Sequence, residues 1–123
     1  MNTFGFEKLE VYMDARRLVK DVYAITQYFP SEERYALTDQ IHRAVVSVVS
    51  NIAEGTSRRS NKDKAHFIEI SYGSLMEVVA QLQIALDMGY INQLQYDTLC
   101  GPIRRISFEL HALRQSYIKN NAK

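Results

Sequence analysis

Apolar residues recur along most of this chain at alternating steps of three and four, which is the spacing of one buried face of an α-helix. Four segments carry such a stripe, and residues that favour turns lie between them. The first stripe consists of Val11, Ala15, Leu18, Val22, Ile25 and Phe29. The pattern predicts helices at about residues 8–29, 34–58, 61–88 and 93–119.

Turn and capping residues mark the ends of the predicted helices. Pro30 stops the first helix, and Ser31 follows it as a candidate N-cap for the second. Ser60 and Asp63 have the spacing of a capping box, so the third helix is expected to begin directly after Ser60. Gly89 is expected to end that helix.

Pro102 lies about ten residues inside the fourth predicted helix, which predicts either a kink or a later start near Gly101. Four amphipathic helices joined by short corners indicate an all-α fold, an antiparallel up-down-up-down four-helix bundle. With 123 residues, of which 46% are apolar, the chain is long enough to bury a core as one domain spanning residues 1–123.

The second helix carries more apolar surface than one buried stripe requires. Gly55 falls in the middle of its apolar arc, which predicts a place where another helix approaches closely. Val46, Val49 and Ala53 extend the apolar surface to a third side of the helix. Because a lone bundle would leave that side uncovered, this surface predicts burial against another subunit in a homo-oligomer.

A polar stripe also runs along this helix, within an arc of about 80°. It consists of Gln40, Arg43, Ser47, Asn51, Glu54 and Arg58. In one interpretation, Asn51 and Glu54 satisfy backbone groups or a neighbouring helix end, and Glu54 pairs with Arg58 four residues later. In the other, Asn51, Glu54 and Arg58 form a binding site. The residues alone leave both interpretations open.

The stretch SRRSNKDK, at the corner after the second helix, concentrates positive charge. Arg58, Arg59, Lys62 and Lys64 lie near the start of a helix, where backbone N–H groups also point outward, so they are candidates for contacts with phosphate groups. A solvated corner without a ligand is the other interpretation. The net charge of the whole chain is only +1, so a phosphate contact would depend on this local clustering. Three arginines of the fourth helix would extend the surface if the fold brings them near: Arg104, Arg105 and Arg114.

No group of residues in the sequence matches a catalytic or metal-binding pattern. His42, His66 and His111 fall on three separate predicted helices without a metal-ligand spacing, and Cys100 has no neighbouring base. We therefore expect no enzymatic activity, no cofactor, no metal and no small-molecule substrate. The sequence also lacks a signal peptide and a long apolar span, and its single cysteine suits a reducing compartment, which together predict a cytoplasmic protein without a membrane partner.

Five stretches carry a resemblance to a known family: FEKLEVYMDARRLVKDVYAIT, FPSEERYALTDQIHRAVVSVVSNIAEG, SRRSNKDKAHF, GSLMEV and LQIALDMGYI. Over residues 4–120 the chain resembles the bacterial four-helix-bundle proteins encoded in intervening sequences of 23S ribosomal RNA genes. The most specific part is NIAEG followed by a basic S-x-K-D/E segment. The chain is more distantly similar to the accessory variability determinant proteins of diversity-generating retroelements. The matching positions are Arg43, Asn51, Ile52, Ala53, Glu54, Gly55, Arg58, Ser60, Asp63, Phe67, Gly73, Ser74 and Leu75.

The resemblance implies a bundle that assembles into a homopentameric ring, no known enzymatic activity, and a suspected nucleic-acid or ribonucleoprotein role. Together with the local charge, it favours a non-catalytic homo-oligomer that binds structured RNA or a ribonucleoprotein. The candidate contact residues are Arg43, Arg58, Arg59, Lys62 and Lys64. The residues expected to have a structural role are Asn51, Glu54, Gly55, Ser60 and Asp63. The alternative is a protein–protein scaffold or adaptor that binds no nucleic acid.

Overall fold

The computed structural model describes residues 4–121, and these residues form four α-helices without any strand. The helices are α1 (Glu10–Ile25), α2 (Leu37–Thr56), α3 (Asn61–Asp87) and α4 (Gln93–Asn121). Short 3-10 turns occupy Gly5–Lys8, Thr26–Tyr28 and Ser31–Glu33. The predicted all-α class is confirmed, while residues 1–3 and 122–123 of the expected domain lie outside the described part of the chain.

The four helices pack as a bundle in which each helix contacts the next and α1 contacts α4. Contacts between α2 and α3 run in opposite directions along the two helices. Gly55, near the end of α2, meets Phe67 near the start of α3, whereas Ser47 in the middle of α2 meets Ser74 further along α3. Neighbouring helices joined by short corners are therefore antiparallel, as the pattern predicts.

One hydrophobic core runs through all four helices, and it contains the stripes that the sequence predicts. The fully buried large side chains are Leu18, Val22, Ile41, Val45, Val48, Ile52, Ile68, Leu75, Val78, Leu82, Ile106 and Leu110. Every helix contributes to this set at helical spacing, so burial of these stripes is what holds the bundle together.

The first and second helices are shorter than predicted, because a 3-10 turn at Thr26–Tyr28 follows α1 and turn residues 34–36 precede α2. α2 begins at Leu37 rather than near residue 34, and Ser31 does not cap it. Instead, the Glu33 carboxylate accepts a hydrogen bond from the Leu37 N–H at 3.3 Å and another from the Tyr90 hydroxyl at 2.7 Å. Glu33 thus joins the start of α2 to the corner between α3 and α4.

The fourth helix begins at Gln93, as predicted, and continues through Pro102. Of the two alternatives for this proline, a kink or a later start near Gly101, the later start does not occur. Asn92 and Gln95 form a reciprocal capping box, with side-chain to backbone bonds of 2.8 Å in each direction, and this fixes the early start. Thr98 and Pro102 both lie on the exposed side of the helix. The Thr98 carbonyl, which loses its partner because proline has no N–H, can therefore bond to water.

Candidate nucleic-acid interface

The corner between α2 and α3 is held by the close approach of the two helices at Gly55. A Cβ atom at this position would lie 2.9 Å from the Phe67 Cβ and 3.2 Å from the Lys64 carbonyl oxygen. α3 then starts directly after Ser60, whose side chain accepts a hydrogen bond from the Asp63 N–H at 3.1 Å. The lack of a side chain at Gly55 and the Ser60 cap together fix the position and direction of the start of α3.

The middle of the polar stripe of α2 is used for packing against α3. The half-buried Asn51 side chain donates its two amide hydrogens to Ser47, one to the carbonyl and one to the hydroxyl oxygen, each at 2.9 Å. The Ser47 hydroxyl lies 2.8 Å from that of Ser74, and Ser71 donates to the Val48 carbonyl at 2.7 Å. These contacts support the structural interpretation of Asn51 that the sequence left open.

Glu54 and Arg58 form the ion pair expected from their spacing, with 2.9 Å between the Arg58 Nη2 and Glu54 Oε1 atoms. Both side chains remain about half exposed. The Arg58 guanidinium also lies over the ring of Phe67, 4.6 Å from its centre. Two contacts therefore orient this arginine while leaving part of it open to a ligand.

Four cationic side chains define what we call the basic corner: Arg58, Arg59, Lys62 and Lys64. Arg59 and Lys62 are exposed, and neither forms an ion pair with a carboxylate anywhere in residues 4–121. Lys64 is half-buried, with its ammonium 5.5 Å from the ring centre of Tyr117 on α4. The corner thus presents cations that are only partly neutralised by Glu54 and Asp63.

Arg43 does not belong to this corner. It lies fifteen residues before Arg58, which follows the end of α2 at Thr56. The part of α2 from Arg43 to Thr56 alone spans about 20 Å along the helix axis. Its guanidinium pairs with Asp39, at 3.1 Å between the Arg43 Nε and Asp39 Oδ2 atoms. The structure therefore separates one of the five candidate contact residues from the other four.

Of the three arginines on the fourth helix, the fold brings Arg114 beside the basic corner. Arg114 approaches Glu69 of α3, with 3.4 Å between its Nη2 and the Glu69 Oε2 atom. The Arg114–Glu69 contact lies about one helical turn from the contact between Lys64 and Tyr117, which also connects α3 and α4. Arg105 instead faces α1, where its Nε lies 3.2 Å from the Asp14 carboxylate. On α4, the positively charged surface of the basic corner therefore extends only to the C-terminal part of the helix.

A groove that the sequence did not reveal adjoins the basic corner. It has a volume of about 540 Å³ and is lined by Phe6, Ser50, Asn51, Ala53, Glu54, Ser57 and Phe67. Phe6 belongs to the first 3-10 turn, where its ring stacks on Phe4 and meets the edge of Tyr12, with ring centres 5.7 and 4.8 Å apart. No local pattern could have predicted this groove, since it requires the N-terminal turn to lie against α2.

His42 lies at the opposite end of the bundle from the basic corner. Its ring stacks on Tyr23 at 3.8 Å between centres, and its Nε2 atom lies 2.9 Å from the Thr26 hydroxyl. Because that hydroxyl donates to the Tyr23 carbonyl, Nε2 must be the protonated nitrogen. Burial lowers the pKa of His42, against the opposing effect of Asp39. These contacts describe a neutral histidine with a packing role.

Residues 4–121 contain no group of three or more His, Cys, Asp or Glu side chains that could hold a metal ion. Cys100 is half-buried and unpaired. In the same range, no helix combines the length and the hydropathy that crossing a membrane requires.

Comparisons with known proteins gave one family match and one similar solved structure. The family model for the 23S rRNA-intervening sequence protein matches residues 7–112. A crystal structure from Bacteroides thetaiotaomicron, of a protein with unknown function from the S23 ribosomal protein family, is similar with a TM-score of 0.77. It is 19% identical over 85% of this chain and 97% of that one, so it shows a common fold. No curated protein matches the chain.

Proposed function

The chain belongs to the 23S rRNA-intervening sequence protein family, and from that premise we propose a non-catalytic, homo-oligomeric helical bundle that binds structured RNA, free or in a ribonucleoprotein. The basic corner is the proposed contact surface. The observation that carries the proposal is that Arg59 and Lys62 project from a rigid helix corner without a carboxylate partner among the described residues. A cytoplasmic location belongs to the same proposal, because that is where ribosomal RNA is found.

The chemistry of the corner suits the backbone of RNA. Phosphate groups attract lysine and arginine irrespective of base sequence, and each neutralised phosphate releases counterions. Arg58 is held in place by Glu54 and Phe67, so part of the entropy cost of ordering its side chain is already met before binding. Lys64 and Arg114 can continue the contact along the groove between α3 and α4.

A charge-reversal experiment tests this surface directly. We expect the double variant Arg59→Glu and Lys62→Glu to weaken binding of a stem-loop RNA by roughly tenfold to a hundredfold, and to reduce the salt slope of binding by about two. The matched control reverses Arg34 and Arg43, which are exposed cations elsewhere on the bundle. Equal losses in the two double variants would mean that only total charge matters and would remove the corner from the proposal.

The proposed self-association rests on apolar surface that the single chain leaves uncovered. Val46 is 42% exposed and Val49 is partly buried. Both line a groove of about 610 Å³ between α1 and α2. On the α1 side it is lined by Tyr12, Met13 and Val19 and by the cationic residues Arg16, Arg17 and Lys20. Burial of such a surface against a second copy would remove apolar area from water. The ring-like arrangement, and a pentamer in particular, follow the family resemblance.

The second candidate is a protein–protein scaffold without nucleic-acid binding, which the exposed aromatic and aliphatic residues of α4 favour. Phe108 and Leu94 are each 74% exposed on this helix. Absorbance at 260 nm of the protein as purified from cells separates the two functions. RNA binding predicts an excess that nuclease removes, whereas a scaffold predicts no such excess.

A further inference from the structure

The groove beside the basic corner has the chemical features of a site for a flat, hydrogen-bonding ring. Phe6 and Phe67 lie on its walls, and Asn51, Glu54 and Ser57 supply polar atoms. Phe6 contacts Phe4 and Tyr12, and the ring of Phe67 lies under the Arg58 guanidinium, so neighbouring side chains orient both walls before any ligand arrives. Aromatic side chains fixed in this way are the platforms on which unpaired bases of RNA stack.

The polar atoms of the groove that remain available mostly accept hydrogen bonds. Both amide hydrogens of Asn51 are used by Ser47, which leaves its Oδ1 atom as an acceptor. Glu54 pairs with Arg58 through Oε1, so its Oε2 atom is available to a ligand. Ser57 donates its hydroxyl hydrogen to the Glu54 carbonyl at 2.8 Å, so its oxygen too can only accept. A matching ligand must therefore offer donors to these three side chains, whereas Ser50, which also lines the groove, has an exposed hydroxyl that can donate or accept.

We propose that this groove binds an unpaired guanine base of the RNA, with the Glu54 carboxylate accepting hydrogen bonds from the guanine N1–H and N2–H groups. Guanine is the one common base whose Watson–Crick edge offers two neighbouring donors. Adenine and cytosine place one amino donor beside a ring-nitrogen acceptor, and uracil places one donor between two carbonyls. Either arrangement would bring an acceptor against the acceptor atoms of the groove.

An arginine side chain of a protein partner is also flat and rich in donors, but the surrounding charge disfavours it. Arg58, Arg59 and Lys62 lie next to the groove and would repel a basic peptide, whereas they attract the phosphates that flank a nucleotide. The guanine site therefore rests on the proposed RNA binding and assigns to it a base preference that the phosphate contacts alone cannot supply.

The test uses single-stranded RNA of about nine nucleotides, a length typical of single-strand binding sites, with uridine at every position except the centre. The central base is guanine, adenine or inosine, and inosine lacks the N2 amino group. Fluorescence anisotropy at about 50 mM salt, where phosphate contacts are strong, gives the affinities. We expect the guanine oligomer to bind roughly tenfold more tightly than the other two.

The decisive variant is Glu54→Gln, which replaces one acceptor oxygen with a donor on an exposed side chain. It should remove the preference for guanine, so that the guanine and adenine oligomers bind the variant equally tightly. Asp39→Asn is the control, because it makes the same charge change in the other ion pair of α2, about 22 Å from the corner. This control should keep the guanine preference.

The other outcomes are distinguishable. Equal binding of the three oligomers, or a guanine preference that survives Glu54→Gln, would overturn the guanine site and leave the RNA proposal standing. A stem-loop RNA that binds while none of the oligomers does would have the same meaning. Failure of every RNA to bind, while an arginine-rich peptide does bind, would overturn both proposals and favour a protein partner.

Discussion

Two glycines inside helices show how differently the same residue type is used in this chain. A Cβ atom at Gly55 would lie within 2.9 Å of the Phe67 Cβ, whereas a Cβ atom at Gly73 would meet nothing within 4 Å. Neither glycine has a positive φ, so alanine is compatible with both backbones. The difference between them lies only in what surrounds the added methyl group.

We therefore expect opposite effects from the two alanine substitutions. Gly55→Ala should lower the free energy of unfolding by about 1–3 kcal/mol, because α2 and α3 must move apart. Gly73→Ala should raise it by up to about 1 kcal/mol, because alanine favours the helix and restricts the unfolded chain. Urea unfolding of the two variants measures both changes. A Gly55→Ala protein as stable as the wild type would contradict the close approach.

A pair of carboxyl groups, Asp14 and Glu109, meets between α1 and α4. Both side chains are largely buried, and Arg105 is the cation beside them, with its Nε 3.2 Å from the Asp14 Oδ2 atom and 3.8 Å from the Glu109 Oε2 atom. Burial raises the pKa of Glu109 from its usual 4.5 to about 7, and contact with Asp14 and the charge of Glu10 add to this, while Arg105 opposes it. Glu109 is thus protonated over much of the range in which an exposed glutamate is charged.

The raised pKa of Glu109 predicts a loss of stability as the pH rises. The folded protein holds the Glu109 proton more tightly than the unfolded chain does. The stabilisation of the folded state by this proton is therefore fully present below pH 4.5 and is lost as the pH rises through 7. From about pH 5 to about pH 8 the free energy of unfolding should fall by roughly 2–3 kcal/mol through this group.

Urea titrations at those two pH values check the prediction. The Glu109→Gln variant should show a smaller fall and should be more stable than the wild type at the higher pH. Glu77→Gln, at an exposed position of α3, should leave the pH profile of the wild type unchanged. A Glu109→Gln profile that matched the wild type would show that the pair does not bind an extra proton.

At the scale of elements, the hydrophobic stripes predicted which helices form, whereas helix ends depended on side chains that the stripes do not report. Ser60 caps α3, as its spacing to Asp63 predicts. Ser31 was expected to cap α2 and lies instead in a 3-10 turn, where its hydroxyl approaches Glu32 at 3.4 Å. The actual start of α2 depends on Glu33, which is fixed by Tyr90 from a distant part of the chain.

The two serines give a matched test of this account. Ser60→Ala should cost about 1 kcal/mol of stability, because the Asp63 N–H loses its partner at the start of α3. Ser31→Ala should change the free energy of unfolding by less than about 0.5 kcal/mol, as is usual for exposed sites without such a contact. Thermal or urea unfolding compares them. Similar costs for both serines would contradict the assignment of the caps.

The candidate site was predictable only where it is local in sequence. Arg58, Arg59, Lys62 and Lys64 follow one another within a single turn and the start of a helix, so their grouping could be seen in the sequence. The sequence placed Arg43 and Arg58 on one polar stripe, but Arg43 lies near the start of α2 and Arg58 beyond its end, a distinction that a helical projection does not make. Phe6 and Arg114 join the site through contacts between distant segments, which periodicity does not encode.

At the scale of the whole molecule, the uncovered side of α2 predicts that the protein associates with itself. Val46→Arg adds a positive charge to the groove between α1 and α2, which Arg16, Arg17 and Lys20 also line, and should shift the mass measured by light scattering toward that of a monomer. Tyr35→Arg is the control, because Tyr35 is 83% exposed and does not line that groove. A wild-type protein that is monomeric at micromolar concentration would contradict the assembly.

The central claim, that the basic corner binds RNA through phosphate contacts, also belongs to the whole molecule, because a net charge of +1 gives the chain no general attraction to polyanions. A mobility shift of a stem-loop RNA, titrated with the wild-type protein at about 50 mM and about 200 mM salt, tests it most directly. Four phosphate contacts predict clear retention at the lower salt and a loss of affinity of about a hundredfold at the higher. Absence of retention at the lower salt, or retention that does not change with salt, would contradict the account.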